Sequence, residues 1–190
     1  HQLVTALLEV SGTDHGVTAV LMNFRAWDTL LEKGVLLLAL IAIWSLAQAR
    51  PLFRQEKISP QLTGFAHLLL PLLILVAGFV LWQGNHAPGG AFQAGALLSA
   101  AIILAILVGH NLPHRRRGLR LLPACGFGIF LLLAAMTLLA SGYPLNYPVN
   151  LAGGLILLIE LVATISIAVL LAASVAGGRP PETLAKPEDS

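Results

Sequence analysis

From Gly34 to Ala176 every Lys, Arg, Asp and Glu but one falls in two short segments, 50–57 and 115–120, and the exception is Glu160. A chain of 190 residues with so little charge over most of its length cannot cover itself in water. Charged residues make up 11% and hydrophobic ones 57%, and mean hydropathy is +0.84, against about 25% charged in soluble domains. The segments between the charges are long enough to cross a bilayer, which takes ~20 apolar residues at 1.5 Å rise each. They predict an all-α polytopic membrane protein with about five transmembrane helices: Thr29–Ala49, Phe65–Gln83 with a kink at Pro71, Ala91–Gly109, Leu121–Ala140 and Leu151–Ala176. None alternates apolar and polar residues, so a membrane β-barrel is not expected.

The basic residues set an orientation. Arg50, Arg54 and Lys57 follow the first span, Arg115, Arg116, Arg117 and Arg120 follow the third, and Arg179 and Lys186 lie in the tail. Alternating spans put these nine on one side and only Arg25 and Lys33 on the other. The basic side is cytoplasmic by the positive-inside rule, which places the N-terminus outside and the C-terminus inside. Next to spans the arginine cluster reads as a topology signal, not a nucleic-acid site. Residues 1–28 contain an apolar stretch, Gly16–Phe24, too short to span, and are expected to lie at the interface. The first residues lack a basic region followed by an apolar stretch, so no cleavable signal peptide is expected. Residues 50–61 form a cytoplasmic loop, 62–176 a four-helix domain, and 177–190, rich in Gly, Pro and acids, a disordered tail. Cys125 stands alone, so no disulfide framework is expected.

One connection departs from the usual polar loop. "GNHAPGGAFQAG", Gly84 to Gly95, has no Lys, Arg, Asp or Glu. Pro88 fixes φ and supplies no N–H, while Gly89 and Gly90 allow close backbone approach. Gly90 and Ala94, and Ala91 and Gly95, are spaced as a small-xxx-small face that admits a neighbouring helix. The physical reading is a tight helical hairpin on the non-cytoplasmic side, held against protein or headgroups. His86 and Asn85 exceed what a bare turn needs.

This stretch resembles the Gly-His-Asn-x-Pro-Gly-Gly-Gly-Phe-x-Gly-Gly signature of the B-type subunits of the multi-subunit Mrp-type sodium/proton antiporters. Related subunits occur in membrane-bound hydrogenases akin to respiratory complex I. Here His and Asn are exchanged as Asn85-His86, and Ala91 and Ala94 stand where glycines are usual. Upstream, Phe24-Arg25-Ala26-Trp27-Asp28-Thr29-Leu30-Leu31-Glu32 is similar to the Phe-Arg-Gly-Phe-Asp-Thr-Leu-Gly-Glu pattern near the end of the A-type subunits. The chain thus resembles the end of an A-type subunit joined to a B-type subunit, over roughly 16–49 and 62–172. The resemblance implies a subunit of an ion-translocating complex in the cell membrane, with other membrane subunits, the lipid bilayer and sodium or protons as partners. The alternatives are a subunit of a complex-I-related hydrogenase or oxidoreductase, and a purely structural scaffold.

The candidate ion-translocation residues are few. Glu160 lies about ten residues into the fifth span, near mid-membrane, where a charge costs ~3 kcal/mol or more, and Thr164 is one helical turn on. Glu32 and Asp28 share a helix face at the start of the first span, with Arg25 three residues before. Asp28 also suits a helix N-cap. The resemblance associates Glu32 with the ion path, and Lys33 beside it could snorkel to the interface. His86 belongs to the hairpin motif. His67, His110 and His114 read as interfacial. No metal site, cofactor, P-loop, nucleophile motif or dinucleotide fingerprint is expected, so the chain is expected to be a transporter subunit and not an enzyme.

Overall fold

The computed structural model describes residues 26–46, 59–84, 87–110, 121–143, 145 and 151–176. They form five α-helices: α1 (Ala26–Leu46), α2 (Pro60–Gln83), α3 (Ala91–Leu107), α4 (Leu122–Ser141) and α5 (Ala152–Ala176). No strand occurs among the described residues. The interfacial segment expected before the first helix and the tail after the last fall outside them, apart from Ala26, Trp27 and Asp28, which open α1.

Helix ends follow local chemistry. Ser59 caps α2, its hydroxyl accepting from the Leu62 N–H at 3.2 Å, with Pro60 in the first turn, where its missing N–H costs nothing. The α2 helix runs unbroken through Pro71. Leu122–Ser141 likewise has Pro123 in its first turn and ends on Gly142 at φ +76°, whose N–H donates to the Leu138 carbonyl. That is the Pro-in, Gly-out asymmetry of helix ends.

Four of the helices, α1, α2, α4 and α5, have the length and apolarity to cross a membrane. Helix α3 has 17 residues, ~26 Å at 1.5 Å each, the lower limit for a span. Helix α5 is the hub. It packs most extensively on α3, then on α4, and also on α1, whereas α2 touches mainly α3. In the apolar window of α5 56% is buried, against 11% in α2. Where α5 meets α1 and α4, Leu30, Phe130, Ala134, Ile156 and Ile159 form a core.

Close approach depends on small residues. A Cβ on Gly95 would lie 2.8 Å from Ile167 Cγ2 and 3.1 Å from the Thr164 carbonyl. The expected small-residue face is therefore used, and the helix it receives is α5 of the same chain. Gly126 of α4 approaches Ser166 in the same way, and the Ser166 hydroxyl donates to the Pro123 carbonyl at 2.6 Å. The outward surface is apolar, with Leu31, Val35, Leu38, Leu68, Leu75 and Leu139 all exposed. Lipid or neighbouring subunits suit such a surface.

Candidate functional site

The charge-free hairpin closes on itself. The Gly90 N–H donates to the Val80 carbonyl at 3.2 Å, the Ala87 N–H to the Gln83 carbonyl at 2.8 Å, and the Gly84 N–H to Val80 and Leu81. A Cβ on Gly84 would sit 2.8 Å from Gly90 Cα, so the two ends of the loop touch. Gly90 has φ +119°, a conformation side chains rarely adopt. The turn delivers Gly90 to the one buried acid among the described residues, because a Cβ there would be 3.4 Å from Glu160 Oε1. The two features singled out by the sequence, the Pro-Gly-Gly turn and Glu160, form one site. Asn85 and His86 lie outside the described residues.

Glu160 is 3% exposed. It is eight residues beyond the start of α5 at Ala152, ~12 Å along the axis, level with the hairpin and not with the middle of its helix. Its Oε2 is buried without a hydrogen-bond partner among the described residues. Buried polar atoms are nearly always satisfied, which makes this carboxyl the candidate group of the site.

Thr164, 2% exposed, serves the backbone. Its hydroxyl donates to the Glu160 carbonyl at 2.7 Å and lies 3.4 Å from the Ala91 carbonyl at the start of α3. It ties the two helices at the level of the acid and leaves the Glu160 carboxyl to other partners. Gln93, whose Oε1 would be 3.8 Å from a Cβ on Gly90, borders the same turn.

The first-span acids are elsewhere. Glu32 and Asp28 are exposed on α1, and Arg25 lies outside the described residues. Glu32 therefore faces away from Glu160, toward lipid or another subunit. The expectation for Lys33 is reversed. It does not snorkel outward but is buried at 8% exposure, with Nζ 5.1 Å from the centre of the Phe130 ring of α4. Leu30, Lys33 and Leu40, at i, i+3 and i+10, lie on one buried stripe of α1. Two histidines, His67 and His110, are exposed, and no group of three potential metal ligands occurs among the described residues.

An all-helical membrane subunit built around one buried acid, gripped by a glycine hairpin, is the class that fold and site define. The family follows from residues 61–178, which match the model of the domain related to the MnhB subunit of Na+/H+ antiporter. The chain belongs to that family. An uncharacterized protein of Methanocaldococcus jannaschii is 30% identical over 150 residues, 67% of this chain and 57% of the relative, so the chain spans little more than half of that protein's length. Among solved structures, a chain of the membrane-bound sulfane sulfur reductase, an archaeal respiratory membrane complex, superposes with TM-score 0.79 and 25% identity over 93% of this chain and 82% of its own. A chain of the Mrp complex from Dietzia sp. shares the fold, with TM-score 0.69 and 22% identity over 96% of this chain and 23% of its own. Both superpositions are too extensive to leave out α1, which the family match does not reach.

Proposed function

We infer that the chain is a membrane subunit of a multi-subunit cation/proton antiporter complex in the plasma membrane, where it contributes to ion translocation and to assembly. The observation that carries this is Glu160, a buried acid with an orphan oxygen, seated against the Pro-Gly-Gly turn inside the family's domain. A buried carboxyl can alternate between charged and neutral forms, which suits taking up and releasing a proton within the complex's exchange of protons against cations. Five helices and one such acid are too few for a complete transporter, so the partners are further membrane subunits. Sodium and protons are the ions, as the family's description suggests. The basic side of the chain is cytoplasmic, with Glu160 toward the outer half of the membrane. Glu32 and Asp28, exposed on α1, belong to the same route where a neighbouring subunit meets them, and Arg25 and His86 are further candidates for it.

The second reading, a subunit of a complex-I-related redox complex, is favoured by the superposition on the sulfane sulfur reductase chain. Purification of the intact complex through a tag on this chain, with identification of its subunits, separates the two. The antiporter reading expects only membrane subunits to copurify, and deletion of this chain to abolish Na+/H+ exchange in vesicles. Soluble iron–sulfur proteins in stoichiometric amount would favour the redox complex instead.

A further inference from the structure

Lys33 has no part in the function inferred above, yet it is one of the few charged side chains inside the bundle. It sits on α1, its ammonium over Phe130 of α4, and the core that includes Leu30, Phe130 and Ile159 joins those helices to the segment of α5 that carries Glu160. Among the described residues Lys33 and Glu160 are the two buried charged side chains, of opposite sign, and this core lies between the helices that carry them. A buried ion without a counter-ion is among the costliest features a fold can hold. The outward route open to a long lysine side chain is not taken here.

We propose that Lys33 is the resident counter-charge of Glu160, a positioning residue that balances the acid within the bundle and keeps sodium off it. A tethered ammonium supplies the positive charge that a bound monovalent cation would otherwise bring, and it repels a second cation approaching the same carboxylate. Protons, carried by covalent attachment to oxygen, need no such vacancy. The pair also spans the junction between α1 and the family's domain, so it makes docking of α1 depend on Glu160. This deepens the reading of Glu160 as an ion-exchanging acid and takes its significance from it.

The test uses the intact complex carrying Lys33→Met, Glu160→Gln or both. The readouts are the amount of assembled complex on a native gel and its thermal unfolding temperature in sodium chloride or choline chloride of equal ionic strength. Lys33→Met should lower assembled complex on the order of tenfold, because it leaves a buried carboxylate uncompensated. Glu160→Gln is milder, since the amide still accepts a hydrogen bond and Lys33 keeps the Phe130 face. Adding Glu160→Gln to Lys33→Met should restore most of the loss. Sodium, but not choline, should raise the unfolding temperature of Lys33→Met and leave the wild type and the double variant unmoved. Losses that simply add in the double variant would overturn the pairing, and an equal sodium effect on wild type and Lys33→Met would overturn the exclusion of sodium. Neither readout measures transport, so the pair can stand while the antiport reading fails, and the reverse.

Discussion

At the scale of single residues, Gly95 shows how narrow the tolerance is. An added Cβ would lie 2.8 Å from Ile167 Cγ2 and 2.9 Å from its Cβ. Ile167 is β-branched and stiff, and the Thr164 carbonyl at 3.1 Å is backbone, so neither neighbour yields cheaply. Gly95→Ala should destabilise the complex by about 1–3 kcal/mol, the cost of overpacking. Gly78 of α2 has nothing within 4 Å of an added Cβ, so Gly78→Ala should be neutral or gain up to about 1 kcal/mol of helix propensity. Thermal melts of the two purified variants decide it, and equal shifts would contradict the packing. Residue-level legibility was uneven. Glu160 announced itself because a lone acid in an apolar run has little alternative use, and the Pro-Gly-Gly turn because its glycines are adjacent. Lys33 did not, because a lysine near a span's end has an ordinary outward conformation, and the helix around it is apolar on every face.

Elements were the most legible level. Each of the five apolar runs became a helix, as at α1, which is described over Ala26–Leu46 and takes in Ala26, Trp27 and Asp28 ahead of the expected Thr29. Hydropathy reports length well because a bilayer demands it. It does not report which face is buried, because lipid and protein interior are equally apolar. Contacts filled that gap. Gly90 beside Glu160, and Gly95 beside Ile167, set α3 and α5 parallel, while Ser166 bonded to Pro123 sets α4 against them. Parallel α3 and α5 require their starts to share one side, which the alternating-span topology supplies. A single cysteine placed in the Arg115–Arg117 segment, in a variant lacking Cys125, should react with a membrane-impermeant thiol reagent only in inside-out vesicles. Reaction in right-side-out vesicles would reverse the orientation drawn from the basic residues.

For the whole molecule, the architecture is a hub helix, α5, with α1 and α4 on one flank and α3 with α2 on the other. The acid lies on the hub and is approached by the hairpin from one flank, while Lys33 is buried in the other flank against Phe130. That convergence lay beyond the sequence, since it depends on the approach of residues 70 positions apart, Gly90 and Glu160, and on the burial of Lys33 against Phe130 of a third helix. The central claim is that Glu160 exchanges an ion and does not merely hold helices together. It is tested most directly by Na+/H+ antiport in everted vesicles carrying the intact complex with Glu160→Gln, normalised to assembled complex on a native gel. The substitution keeps shape and a hydrogen-bonding head but removes the titratable charge. The account predicts a complex that still assembles, with antiport per complex reduced on the order of tenfold or more, as loss of an essential proton-transferring group does. Undiminished antiport per assembled complex would contradict it.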